Sequence, residues 1–347
     1  MKTIQLFACG VLAFTLTNCQ TESVDSSMID GYNSKASKSY EMDEAMKGHS
    51  VYVSSNTSGM LSIFNVQEAL EMPSMKVLSL PYMDADGVEY DANRDAIYQV
   101  NRSDKALVAL SNISEAMNGD VLIPTAMGPS TFENGRGSDL YNNKVVVVDD
   151  VTPGKLVSYH VNEEVISDFR QYHVGFEVWD VHVNGKDLWA IEDVSSNLVY
   201  FENFHNAKSG DLMYTAKVAI EGLVRTHGLD YDAGTDTMVL TDIGSASGMP
   251  TSASDGALII IHDFSAKFMT AAESGMIGLD DQIRIEGDLT ELGNPVDVAI
   301  STDKHAIFVA ERAQQKLLIF DMPMSSGNYA PVYSSSVPGA SSVTIDF

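Results

Sequence analysis

The stretch Ala306-Ile-Phe-Val-Ala-Glu311, followed after four residues by Lys316-Leu-Leu-Ile-Phe320, decides the fold. Both runs are apolar, rich in branched and aromatic residues, and too short for helices. The polar residues between them end one strand and begin the next, so the pair reads as two antiparallel strands. The same arrangement occurs five more times. It pairs Ser50-Val-Tyr-Val-Ser-Ser55 with Met60 to Val66, Ala96-Ile-Tyr-Gln-Val-Asn101 with Ala106 to Leu110, and Lys144-Val-Val-Val-Val-Asp149 with Lys155 to Val161. It also pairs Asp187-Leu-Trp-Ala-Ile-Glu192 with Asn197 to Phe201, and Thr237-Met-Val-Leu-Thr-Asp242 with Ala257 to His262.

Five of these units carry a further strand upstream: Val88 to Asp91, Leu140-Tyr141, Val181 to Val183, Leu229 to Asp232 and Val298 to Ile300. Most carry one downstream, such as Lys76 to Leu80, Val165 to His173, Thr215 to Ile220 and Gln282 to Glu286. Each unit is then a four-strand antiparallel meander of about 50 residues, the period of a β-propeller blade. An α/β fold would need helices of ten or more residues between strands, and the pattern lacks them. Ala266 to Gly275 reads as one short helix outside the fifth blade.

The first unit lacks its upstream strand, and the chain ends in Ser342-Val-Thr-Ile-Asp-Phe347, which has that strand's character. The expected fold is all-β: a single six-bladed propeller over residues 49–347, closed by the C-terminal strand completing the first blade. A seventh blade would need about 45 more residues.

Asp86-Gly-Val-Glu-Tyr-Asp91 and His227-Gly-Leu-Asp-Tyr-Asp232 match the first half of the repeat in NHL-type propellers. Ile307-Phe-Val-Ala-Glu311 and Val145-Val-Val-Val-Asp149 match its second half. Residues 49 to 347 therefore resemble NHL-type six-bladed propellers and, at fold level, the gluconolactonase and paraoxonase group. That resemblance implies the ring. It leaves open a lactonase, a lyase, an esterase or a pure binding protein.

The meander places the starts of inner strands and the ends of second strands on one face, around the channel mouth. The starts bring Asp86, Arg136, Glu177, Trp179, Asp180, His227 and Asp297 together. The second strands end in Asn101, Asp149, Glu192, Asp242 and Glu311, with Arg102 and Arg312 just beyond two of them. These ladder carboxylates have two readings. Either they accept hydrogen bonds from turn amides, or some of them bind a cation.

Asp86, Glu177, Asp180 and Asp297 form the better candidate metal set, because crowded carboxylates repel unless a cation or protons intervene. Ca²⁺, which takes six to eight oxygen ligands, is the candidate cofactor. His227 is either a structural hydrogen-bonder or, as the resemblance to propeller hydrolases implies, a general base. His182 is expected to line the channel or pack. The long turn from Ile243 to Asp255 projects from the same face.

Two function classes follow. One is a ligand- or protein-binding scaffold that uses the channel face. The alternative is a Ca²⁺-dependent lactonase- or esterase-like hydrolase that uses the mouth carboxylates and His227. No dinucleotide, phosphate-loop, zinc-helix or serine-elbow motif is present. With 21 Lys plus Arg against 48 Asp plus Glu, the net charge of −27 disfavours nucleic acid as a partner.

Lys2 and the apolar run Ile4 to Leu16 read as an export signal covering residues 1–18. Leu16-Thr17-Asn18-Cys19 resembles the lipobox of bacterial lipoproteins, with Asn18 where a small residue is usual. The resemblance implies lipidation of Cys19 and a cell-envelope location, on the periplasmic face or the outer membrane. The only other cysteine, Cys9, would leave with the signal, so no disulfide is expected. Residues 19–48, rich in Ser, Asp, Glu and Lys, read as a flexible tether.

Overall fold

A computed structural model of the chain describes residues 49–66, 74–245 and 255–347. The export signal, Cys9, Cys19, the tether and most of the Ile243–Asp255 turn lie outside these residues.

Six antiparallel sheets form a six-bladed β-propeller. From the axis outward, blade 1 consists of Ala340–Asp346, Ser50–Ser55, Met60–Asn65 and Ser74–Ser79. The chain's last strand is therefore the innermost strand of its first blade, with Ser50 opposite Asp346 and Val53 opposite Val343. Blades 2 to 6 follow in order, with inner strands Ala85–Asp91, Gly135–Tyr141, Val178–Asn184, Thr226–Asp232 and Pro295–Ser301. Each inner strand packs against its counterparts in both neighbouring blades, which closes the circle. Blades 3 and 4 gain a short fifth strand, Gly210–Asp211 and Met276–Ile277, each donated by the next blade and paired in parallel.

The second strands have the bounds expected from the sequence in all six blades, and Lys144–Asp149 shows why. Val145 and Val147 enter an apolar cluster with blade 2, while Val146 and Val148 enter one with blade 4. Side chains alternate across a strand, so a strand covered on both faces reads as an unbroken apolar run. Each buried valine contributes about 1.5–3 kcal/mol. Six such clusters among the described residues fill the spaces between successive blades. Trp189 belongs to one of them, packed against Phe264 and Phe268 of the helix Phe264–Ser274 between blades 4 and 5.

The inner strands begin about three residues earlier than the apolar pattern indicated. Every inner pair contains a register shift near the mouth, for example between Ala85 and Val88, Gly135 and Ser138, and Thr226 and Leu229. Such a bulge interrupts strict alternation and re-aims the residue it displaces.

Candidate functional site

The inner strands align over seven positions, and three of these face the axis. The second position forms the mouth: Asp86, Arg136, Trp179, His227, Val296 and Ser341 around the ring. The third forms a middle tier of Gly87, Gly137, Asp180, Gly228, Asp297 and Ser342. The fifth forms a lower tier of Glu89, Asp139, His182, Asp230, Ala299 and Thr344.

At the mouth the indole of Trp179 stacks on the imidazole of His227, with centroids 3.6 Å apart and planes within 2°. The guanidinium carbon of Arg136 lies over the same indole, 4.3 Å from its centroid. Arg136 also bridges Asp86 at 3.3 Å and Asp150 at 3.2 Å. Arg225 grips Asp193 through two nitrogens, at 2.8 and 2.9 Å. The same carboxylate lies 3.4 Å from Nε2 of His227. Burial alone would raise the Asp193 carboxyl, but His227 and Arg225 override it and hold it well below the usual range. Burial pushes His227 down to about 4, so its ring is neutral at pH 7. Neither ring nitrogen reaches solvent. Asp86 is pushed up by burial against the opposing charges of Arg136, Arg102 and Arg312.

The ladder carboxylates have a structural task. Asp149 accepts the amides of Glu133 and Asn134, and Asp242 accepts those of Val224, Arg225 and Gly244. Glu311 accepts those of Gly293, Asn294, Ala313 and Gln314. Each fastens the loop that leads into its own blade's inner strand, and two of them also fix the turn that follows. Burial pushes Glu311 up to about 7 in spite of these four donors. Glu192 pairs with Lys217 at 2.6 Å, and Asn101 bonds Asp104. Arg102 pairs with Asp84 and donates to Asn134, while Arg312 lies against the side-chain amide of Asn56.

The expected metal set is brought to one face but not to one volume. Asp86 belongs to the mouth and faces a guanidinium. Glu177 sits on the rim and bonds Thr152. Asp180 lies a tier lower, accepting the amides of Val181 at 2.8 Å and of Leu229 in blade 5 at 3.3 Å. Asp297 accepts those of Val298 at 2.8 Å and of Val343 in blade 1 at 2.9 Å, and the hydroxyl of Ser342 at 2.6 Å. Among the described residues, no group of three or more His, Cys, Asp or Glu is placed to hold a metal ion. The four residues do not fit Ca²⁺ as a set, because an arginine already neutralises one member and backbone amides engage two others.

Arg225, which the sequence pattern did not single out, joins Arg136 in supplying charge compensation at the mouth. Glu89, Asp139 and Asp230 escaped the sequence reading. They stand at the fifth inner position, each flanked by blade-facing residues, and comparing that column across blades would have found them.

The six-bladed ring and the self-neutralised mouth define the class: a propeller whose axis is lined by acidic and aromatic side chains. No protein-family model matches the chain, and no curated protein matches its sequence. The structure is similar to a chain of the Nidogen/Laminin complex, with a TM-score of 0.60 at 11% identity over 86% of this chain and 98% of that one. It is also similar to a candidate 6-phosphogluconolactonase from Bacteroides fragilis, with a TM-score of 0.51 at 12% identity over 86% and 84%. A protein of unknown function from Bacteroides caccae gives 0.53 at 12% over 86% and 99%. At such identities the likeness establishes the propeller fold alone.

Proposed function

We propose that the protein is a cell-envelope lipoprotein, anchored through Cys19, whose propeller is a binding scaffold presenting the channel-mouth face to a ligand or envelope protein. The observation that carries this reading is how the titratable groups of the mouth and of the tier below it are engaged. Asp86, Asp150 and Asp193 are held by arginines, Asp180 and Asp297 by backbone amides, and both nitrogens of His227 are shielded from solvent. A general base must reach the proton it removes. Meanwhile loops of the same face expose apolar side chains around the charged centre: Val194, Val224, Met83 and Leu289 are 57–66% exposed, and Met60 is 41% exposed. Arginine and tryptophan are the residue types enriched at binding hot spots, methionine is enriched at interfaces, and exposed apolar side chains around them give area to bury.

The Ca²⁺-dependent hydrolase finds less support, because it needs three or more oxygen ligands placed around one ion, and among the described residues no such group of His, Cys, Asp or Glu is found. Two measurements separate the readings. Purified protein should turn over neither lactones nor aryl esters, and Ca²⁺ or chelator should leave its melting temperature in place. Turnover abolished by His227→Gln, or a Ca²⁺ shift abolished by Asp180→Asn, would replace the scaffold with the hydrolase. In cells, a photo-crosslinker at Val224 should yield a discrete adduct that one at Asn93, exposed on the opposite face, does not. Cys19→Ser should release the protein from the membrane fraction.

A further inference from the structure

The six joints between blades are made by inner-strand side chains that reach the next blade. In the middle tier Asp180 accepts from Leu229, Asp297 from Val343, and Ser342 from the amide of Val88. In the lower tier Asp139 accepts from the amide of Val183, Asp230 from that of Ile300, and Glu89 from the hydroxyl of Ser138. Together these bonds link every pair of neighbouring blades once around the ring.

Four of the joints rest on aspartates and one on a glutamate. All five carboxyl groups line a single cavity of about 260 Å³ in the channel, with His182 among them. The Nδ1 of His182 lies 3.2 Å from Asp230 and 3.8 Å from Asp139. Tyr231 lies edge-on to its ring, with centroids 6.1 Å apart, and Tyr90 also lines the cavity. Blade 1 contributes only Val343, Thr344 and Ile345 to the cavity lining, while Asp346 follows at the strand's lower end. The nearest arginine on the axis, Arg136, belongs to the mouth and is engaged by Asp86 and Asp150. Five carboxylates and one imidazole therefore face one another with no lysine or arginine lining the cavity.

We propose that the lower channel is a proton-loaded hub: protons on Glu89, Asp180, Asp297 and His182 keep its crowded carboxyl groups from repelling one another across the blades, and losing them as pH rises loosens the joints that hold the ring closed. The electrostatics agree with the geometry. Burial, and then the charge of Asp139, push Glu89 well above the carboxylate range. Burial, and then the charge of Asp297, do the same to Asp180. Burial pushes Asp297 up to about 7 and also raises Asp139. Burial alone would depress His182, but Asp139 and Asp230 hold it up at about 8.

All five groups are raised in the folded state. Their stabilisation is complete below their unfolded-state values and fades as pH rises through the folded ones. The ring should therefore weaken as pH rises from about 4, and between about pH 6.5 and 8.5 the folded-state protons of Asp297 and His182 are themselves lost. His227, depressed to about 4, acts in the opposite sense, losing its contribution only as pH falls below its ordinary value of 6.5, outside that window. Glu311, raised to about 7 away from the cavity, supplies a background common to the wild type and the variants below.

The test is calorimetry of the whole chain, with chelator present, at pH 6.5, 7.5 and 8.5. The wild type should lose roughly 5 °C or more across that range. Glu89→Gln, which retains an acceptor for Ser138, should lose clearly less. Infrared difference spectra supply a readout that does not depend on a variant folding. Wild type at pH 6.5 should show the carbonyl stretch of protonated carboxyl groups, and it should fade by pH 8.5. A melting temperature flat or rising over this range, a Glu89→Gln slope equal to the wild type's, or absence of the protonated-carboxyl band would each overturn the proposal.

Discussion

Gly228 offers a direct trial of how tightly the inner strands are set. A methyl group there would lie 2.7 Å from Cα of Asp297 and 3.0 Å from both its carbonyl carbon and the nitrogen of Val298. All three are backbone atoms of blade 6. That strand is held by its pairing with Ala306–Glu311 and by the bonds Asp297 makes to Val298, Val343 and Ser342. Ordinary carbon contacts begin near 3.4 Å, so one blade would have to retreat by about 0.7 Å. The retreat would stretch the Asp230–Ile300 joint, 2.8 Å long, between the same two blades. Overpacking of this kind costs about 1–3 kcal/mol, and a backbone obstacle places Gly228→Ala at the upper end. For a chain of this size that is roughly 4–8 °C in melting temperature. Gly278→Ala is the matched control. Its methyl would meet only Glu221 Oε2, at 3.6 Å, and its φ of −76° suits alanine. Restricting the unfolded chain should make that variant neutral or more stable by about 0.4–1 kcal/mol. Calorimetry or urea titration of the pair decides the matter. Equal stability of the two variants would refute close contact between blades 5 and 6 at Gly228.

Deleting residues 340–347 removes the inner strand of blade 1, exposes the edge of Ser50–Ser55 and strips Asp297 of two donors. Cooperative melting should be lost, and an unchanged transition would rule out closure by the C-terminal strand. Asp242→Ala leaves the amides of Val224, Arg225 and Gly244 without their acceptor, at about 1–3 kcal/mol for each that water fails to reach. Asp242→Asn keeps one acceptor oxygen and should cost clearly less, and equal midpoints in urea for the two variants would count against the fastening role.

Legibility from sequence followed the physics of each strand. The second strands were readable to the residue because neighbouring blades bury both of their faces, leaving an apolar run between polar ends. The inner strands were readable only in part, because their first three positions obey channel geometry rather than alternation. Gly135–Tyr141 is the extreme case: Arg136, Gly137, Ser138 and Asp139 give no apolar signal, and only Leu140-Tyr141 did. The helix was displaced by two residues at its start, Phe264–Ser274 against Ala266 to Gly275, because Phe264 is buried for packing while Asp263 takes a left-handed turn. The strand directions alone place the mouth residues toward one face. Their separation into tiers was not readable, since it depends on the bulge. Nor was the partnership of Arg136 with Asp86, which join different blades.

The third inner position explains why the carboxylates stand where they do. Blades 2, 3 and 5 have glycine there, while blades 4, 6 and 1 have Asp180, Asp297 and Ser342. A methyl at Gly137 would overlap the Asp180 carboxylate, and one at Gly228 would strike the Asp297 backbone, so each aspartate needs a glycine in the blade before it. Where the third position is glycine, that blade's joint falls to the acid at its fifth position: Glu89, Asp139 or Asp230. Acids in the channel are thus divided between the two tiers because each joint needs one acceptor, and a glycine at the third position leaves the fifth to supply it. A cluster built under that rule satisfies the backbone before it meets any ligand, and this is why its residue types resemble a metal site while its lone pairs point to amides. Under the proposed scaffold reading, recognition falls to groups outside the joints, the loops of the mouth face. Changes at Val224, Met83 or Leu289 should alter what the propeller binds without altering its melting, whereas changes at Asp180 or Asp297 should do the reverse.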